Sequence, residues 1–291
     1  MTSLTEHQDH FRAMDTDIDV SIYASSRPLA AFASVRVLFD QQEQRFSRFR
    51  TSSQLSSLNG GAIIEDGLFA AVCRLALEAF EFTGGIFNPM VLPALETAGY
   101  DRTFGDVRGG RPASVAVPSL PDCLCFEANS VRLRQGKLDL GGIVKGWTVD
   151  KAAELLSAEY DTVLVNAGGD MRTTGREPGA RGWRTGIAGS GGGLAWEGEL
   201  NGALATSTVL RRRWTTDTGA VAHHLIDPRT GSPATSPFVQ VSAWAGETWR
   251  AECWAKAVLI GGPVGIKLAT ANHVPVLAID SAGHVHSADS G

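Results

Sequence analysis

The sequence predicts an α+β fold: mixed sheets packed by helices, with mostly antiparallel strands in the C-terminal half. Helical spacing of apolar residues dominates the first half, short strand-like runs crowd the second, and the two do not alternate strictly as a doubly wound sheet requires. Asp17 to Ala24 alternates and reads as the first strand. Pro28 suits the first turn of a helix that runs to about Arg45. Ser52 to Leu58 reads as a short helix, ended by Asn59-Gly60-Gly61. Asp66 caps a longer one that reaches Phe82 and stops at Gly84-Gly85. Gly99 to Pro121, rich in Gly, Pro and charge, reads as a surface excursion.

A helix is predicted from about Ile143 to Leu156. It is followed by strands near Thr162–Val165, Met171–Thr174, Arg184–Ala188, Ala203–Thr208, His223–Ile226 and Val239–Ala243. A helix at Thr248–Ile260 and a strand at Val276–Ile279 complete the pattern. Residues 1–12 are expected to be a disordered tail, 13–280 a single domain, and 281–291 a second tail.

Bulk properties exclude several classes of function. The 291 residues are 43% hydrophobic and 20% charged, the balance of an ordinary globular protein. A net charge of −5 provides no sequence-wide basic field, so neither nucleic acid nor an anionic membrane surface is an expected partner. Arg211-Arg212-Arg213 beside Trp214 reads as a solvated strand or turn. No apolar run approaches the roughly 20 residues that span a bilayer, and residues 1–10 resemble no export signal, so a cytoplasmic location is expected. Cys73, Cys123, Cys125 and Cys253 do not form a disulfide scaffold and read as reduced. The Cys123/Cys125 pair has no second ligand pair to make a metal site, and His284 and His286 read as surface residues. The Gly189–Gly193 cluster lacks the strand-and-helix setting of a dinucleotide fingerprint, and there is no Walker A sequence.

The most informative stretch is Leu138-Asp139-Leu140-Gly141-Gly142-Ile143-Val144-Lys145-Gly146. An apolar run enters a Gly-Gly step and then a helix. Paired glycines allow close backbone approach, and the helix N-terminus leaves N–H groups free, a pairing that attracts phosphate. Lys145 in the first turn opposes the helix dipole and calls for an acidic partner nearby.

Six other polar segments occur in order: Met14-Asp15-Thr16; Ser47-Arg48-Phe49 leading through Ser53 and Leu55 to Leu58-Asn59; Gly85-Ile86-Phe87-Asn88-Pro89; Asn166-Ala167-Gly168-Gly169-Asp170; Ala205-Thr206-Ser207; and His224-Leu225-Ile226-Asp227-Pro228-Arg229-Thr230-Gly231. Singly, each can be only a turn. Together with Asp139–Gly146 they resemble the ApbE family of FAD:protein FMN transferases, from Met14 to about Gly262. The resemblance implies a T-fold-related, ApbE-like fold, either undivided or as two subdomains with FAD between them. It also implies an enzyme that binds FAD, splits its pyrophosphate, passes FMN to a threonine of an acceptor flavoprotein and releases AMP. A flavin-binding protein without transfer, or an FAD pyrophosphatase yielding FMN and AMP, are the alternatives.

Carried over residue by residue, the resemblance sets the flavin against Met14 and Phe49, where Phe replaces the commoner Tyr. Ile86, Phe87, Asn88, Asp139, Lys145 and Leu225 become dinucleotide contacts. Deprotonating the acceptor threonine calls for a base, for which His224 or Asp227 is the candidate. The resemblance further implies Mg²⁺ at the pyrophosphate, held by the Gly142 carbonyl and by a later A-D-x-x-x-T helix. That helix reads Ala251-Glu252-Cys253-Trp254-Ala255-Lys256 here. Glu252 can still ligate a hard cation, whereas protonated Lys256 has no lone pair to offer. The two can be read as an i,i+4 surface ion pair; because the helix is apolar on nearly all sides, the favoured expectation is a buried pair with the Lys256 ammonium in the cation's place against FAD.

Overall fold

The structure, a computed structural model, describes residues 4–107, 109–110, 114–189 and 191–288. The chain opens with a hairpin of β1 (Thr5–Ala13) and β2 (Thr16–Ala24), followed by α1 (Leu29–Phe46), α2 (Gln54–Asn59) and α3 (Gly67–Phe82). A small sheet sets β5 (Ser130–Leu133) between β3 (Ile64–Glu65) and β4 (Leu124–Glu127), and the short α4 (Leu92–Thr97) and α5 (Leu120–Cys123) lie within that excursion. Next come α6 (Val144–Ser157), β6 (Val163–Ala167) and β7 (Asp170–Thr174). β8 (Trp183–Ala188) and β9 (Leu194–Leu200) form a separate hairpin before β10 (Ala203–Thr208). Two short pairs follow, β11 (Arg213–Thr215) with β12 (Val221–His223) and β13 (Ile226–Asp227) with β14 (Ser232–Pro233). β15 (Phe238–Ala245), α7 (Thr248–Gly261), α8 (Pro263–Ala271), β16 (Val276–Asp280) and β17 (Val285–Ala288) close the chain.

One eight-stranded sheet organises these elements, in the order β1-β2-β6-β7-β10-β15-β16-β17. Every neighbour is antiparallel, so the chain always returns beside the strand it last left. The long excursions between strands carry the helices, as the predicted α+β class requires. α1 and α6 share a core with β2 and β6, built from Ile18, Ile22, Phe39, Val149 and Val165. α7 packs on β10 and β15, meeting β15 through Trp254, Val258 and Val241.

The α6–α7 crossing positions the later site. Gly146 lies where a Cβ would come within 2.8 Å of the Thr248 carbonyl and 2.9 Å of Glu252 Oε2, so only glycine permits this approach. Asp150 reaches from α6 to cap α7: its Oδ1 accepts the Thr248 N–H at 2.8 Å and its Oδ2 the Trp249 N–H at 3.0 Å. Glu247, at the N-cap itself, makes no side-chain cap. Burial raises the Asp150 pKa, against the pull of those two N–H groups.

Several expectations are corrected. Residues 5–13 are not a tail but β1, paired along its whole length with β2. Most of its side chains are polar, so no apolar alternation marks it; backbone pairing with β2 holds it along its length, and Phe11 and Ala13 pack on the core, Phe11 edge-on to Phe39 at 5.6 Å. The turn is Met14-Asp15, with φ of 50° and 56°, an unusual pair of non-glycine residues in a left-handed hairpin turn. Residues 285–288, placed in the second expected tail, pair with β16, while 289–291 lie outside the described residues. The strand predicted at His223–Ile226 breaks at His224-Leu225, which turns both side chains toward a cavity. β9 and α8 carry no strong local signal and become elements through pairing with β8 and packing on α7. The four cysteines are free.

Candidate functional site

A cavity of about 540 Å³ opens where the β1–β2 turn, the segment after α1, the Gly-Gly step and the β12–β13 break converge. This is an ordinary size for a small-ligand site. Met14, Phe49, Ile86 and Phe87 line it, as do Leu225 and Ile260. Asn88, Asp139, Gly142, Lys145, His224 and Lys256 bring polar groups to the same wall.

Two of these polar side chains are held by backbone. Asn88 Oδ1 accepts from Met90 N at 3.0 Å, and its Nδ2 donates to the Pro118 carbonyl at 3.0 Å. Asp139 Oδ1 accepts from Gly141 N at 2.8 Å and so shapes the Gly-Gly step. Its Oδ2 faces Arg48 Nε at 3.2 Å.

The acidic partner that Lys145 calls for is Asp170, from the Asn166–Asp170 segment, in direct ion-pair contact with its Nζ. The Ala167 carbonyl also accepts from Nζ at 3.2 Å. Burial pushes the Lys145 pKa down to about 7. Glu252 resists that shift, and Lys256 and Arg212 add to it.

Glu252 is 1% exposed and does not line the cavity. Its Oε1 accepts from Lys256 Nζ at 2.9 Å and stands 3.9 Å from Lys145 Nζ, while its Oε2 accepts from Gly146 N at 2.9 Å. Burial alone would raise its pKa, but the two ammonium groups and these hydrogen bonds hold it below the usual carboxylate range. The Lys256 stem lies over Gly142, where a Cβ would be 3.4 Å from Lys256 Cδ and Cε. The Glu252/Lys256 pair is therefore buried rather than set on an open helix face, and of the two only Lys256 lines the cavity.

This donor set does not suit Mg²⁺. Both Glu252 oxygens are engaged, and a dication there would face two ammonium groups. Among the described residues, no group of three or more His, Cys, Asp or Glu is placed to hold a metal ion.

His224 is half-buried at the strand break. Its backbone N–H donates to the Arg212 carbonyl at 3.2 Å, and its Nδ1 lies 3.4 Å from the same oxygen. A carbonyl can only accept, so Nδ1 carries the proton and Nε2 is the ring's acceptor. Burial, then the charges of Arg212 and Lys256, push its pKa down to about 3, so the imidazole is neutral at pH 7. Asp227, the other candidate base, does not line the cavity. Its carboxylate takes a bidentate pair from Arg229, at 2.8 and 2.7 Å, and the Arg229 N–H at 2.9 Å, which builds the turn.

Sequence reasoning missed several lining residues, among them Glu43, Arg48, Tyr100 and Arg212. Glu43 Oε2 accepts the Met14 N–H at 2.7 Å and fixes the hairpin tip. The Arg48 guanidinium lies over Phe49 at 4.1 Å and over Tyr100 at 4.5 Å. Arg212 belongs to the triple read as solvated, and it faces inward while Trp214 donates to the Ala98 carbonyl. No local signal separates Arg212 from Arg211 or Arg213.

The fold is shared with solved structures. An ApbE protein from Thermotoga maritima superposes with a TM-score of 0.88 over 98% of both chains at 24% identity. The apo form of the Pseudomonas stutzeri flavinyl transferase ApbE gives 0.87 over 99% of this chain and 96% of that one at 20% identity. In sequence, the chain is 30% identical to the FAD:protein FMN transferase of Treponema pallidum over 283 residues, 84% of this chain and 75% of that protein. Residues 14–278 match the ApbE family pattern as a whole. With its ordered motifs gathered around one cavity, the chain belongs to the ApbE family.

Proposed function

We propose that this protein is an FAD:protein FMN transferase that attaches FMN through a phosphoester to a threonine of an acceptor flavoprotein and releases AMP. The observation that carries the reading is convergence: segments scattered from Met14 to Lys256 meet at one cavity whose lining combines apolar and aromatic side chains with cations. Met14, Phe49, Ile86, Phe87 and Leu225 suit the isoalloxazine ring. Lys145 and Lys256 suit the pyrophosphate.

In the reaction, the threonine Oγ attacks the phosphorus of the FMN half. The bond from that phosphorus to the bridging oxygen breaks, and AMP leaves with that oxygen. The threonine proton passes to His224 Nε2, since Nδ1 is tied to the Arg212 carbonyl. A dianion against Lys256 offsets the positive charges that depress His224, which makes the imidazole a better base once FAD is bound. Lys256 supplies, as a fixed ammonium, the charge that relatives are expected to take from Mg²⁺. No described helix is long and apolar enough to cross a membrane.

The test is incubation with FAD and a threonine-bearing acceptor, in Mg²⁺ or in EDTA, with assays for FMN, AMP and labelled acceptor. Labelling in EDTA supports the reading. FMN and AMP without labelling would make the protein a pyrophosphatase, and intact FAD would make it a binding protein. Labelling only in Mg²⁺ would remove Lys256 from the cation's role. The double variant Glu252→Asp/Lys256→Thr, which recreates the family's ligand pair, should turn the reaction Mg²⁺-dependent.

A further inference from the structure

Among the described residues, five cations line the cavity: Arg48, Arg50, Lys145, Lys256 and Arg212. Their existing partners differ in what they would lose on turning to a ligand. Arg48 is 7% exposed in its side chain, paired with Asp139 and donating to the Tyr100 carbonyl at 2.8 Å. Arg50 grips Glu43 at 2.8 and 3.3 Å. Lys145 and Lys256 hold the buried carboxylates of Asp170 and Glu252. Releasing either lysine fully would strand a buried charge.

Arg212 is different. Its Nη2 donates to the Asp15 carbonyl at 3.1 Å and lies 3.4 Å from Asp15 Oδ2, and the two side chains are 34% and 46% exposed. Such a solvated pair is weak. Asp15 also faces Arg12 Nη2 at 3.0 Å, so it keeps a partner if Arg212 leaves. Arg212 is further anchored beside the base, because its carbonyl receives both His224 contacts. After burial, its charge is the next influence that depresses His224, so the guanidinium is close to that ring.

We infer that Arg212 is a phosphate-binding residue, parked on Asp15 at the cavity rim and transferred to the pyrophosphate when the dinucleotide enters. This rests on the proposed function and adds to it the cation that moves. Its planar fork suits phosphate oxygens better than an ammonium does. Asp15 is then a built-in competitor for Arg212. Its left-handed φ of 56° at the hairpin tip places the carbonyl and the carboxylate on the same guanidinium.

The test measures binding of FAD, ADP and riboflavin by titration in EDTA, with Arg212→Ala, Arg212→Lys and Asp15→Asn. Asn tolerates the left-handed backbone, so the hairpin is preserved. Arg212→Ala should weaken FAD and ADP roughly tenfold and leave riboflavin unchanged, with Arg212→Lys in between. Asp15→Asn should tighten FAD and ADP by about twofold, an effect that a purely structural Asp15–Arg212 tie would not produce. Unchanged ADP affinity in Arg212→Ala, or weaker binding in Asp15→Asn, overturns the inference while leaving the functional reading intact. If the wild-type protein binds no FAD, the functional reading fails and this inference falls with it. A urea midpoint for each variant separates lost binding from lost folding.

Discussion

Replacing Lys256 with Met should destabilise the fold by about 2 kcal/mol. Met keeps most of the stem over Gly142 but removes the donor 2.9 Å from Glu252 Oε1. Stripping one partner from a fully buried pair costs about 3–5 kcal/mol, and a hydrogen bond to a charged group contributes about 1.5–3. The lower range applies because Glu252, 1% exposed, keeps the Gly146 N–H at 2.9 Å and Lys145 at 3.9 Å. Adding Glu252→Gln removes the stranded charge. The double variant should therefore lose less stability than the sum of the single variants, with a coupling of at least about 1 kcal/mol. For a chain of this size, 2 kcal/mol corresponds to a Tm drop of about 3 °C. Urea unfolding followed by tryptophan fluorescence measures all four proteins. A Lys256→Met midpoint matching wild type, or strictly additive losses, would refute the claim that this ammonium neutralises Glu252.

Three further outcomes follow from the same geometry. The unfolded His224 imidazole takes up its proton near 6.5 and the folded one only near about 3; the unfolded chain binds more protons in that window, so stability falls as pH drops through it. His224→Asn should flatten part of that fall, and urea midpoints with an unchanged pH slope would argue against a buried neutral ring. Gly146→Ala, which in an exposed helix would add about 1 kcal/mol of stability, should instead cost about 1–3 kcal/mol through contact with Thr248 and Glu252; a stabilised variant would contradict the close α6–α7 crossing. Asp227→Asn should lower stability by about 1 kcal/mol by weakening the Arg229 turn and leave FAD affinity untouched; a large loss of affinity in a titration would return Asp227 to the site.

Much of the fold and of the site was legible along the chain because the signals are local. Apolar periodicity, Asp66 as a cap and the Gly-Gly stops placed the main helices close to where they form. The apolar surroundings of Glu252 and Lys256 indicated a buried pair, and the structure holds them so. The need of Lys145 for an acid was also readable, though not which acid; a residue from the adjoining sheet answers it. β1 escaped notice because its pairing rests on backbone groups that every sequence carries, while only Phe11 and Ala13, at its end, are apolar.

By itself, then, the sequence determined the fold class, the ordered motifs and a glycine-marked helix entrance, all set by conformational preference over a few residues. Only the tertiary structure decided which polar side chains share the cavity. Arg212 faces Asp15 across 197 positions and turns inward, whereas Asp227, three residues from His224, is spent on its own turn. The physical reason is that a polar side chain takes the partner that best satisfies its charge and hydrogen bonds, and such partners are brought together by the packing of the whole chain.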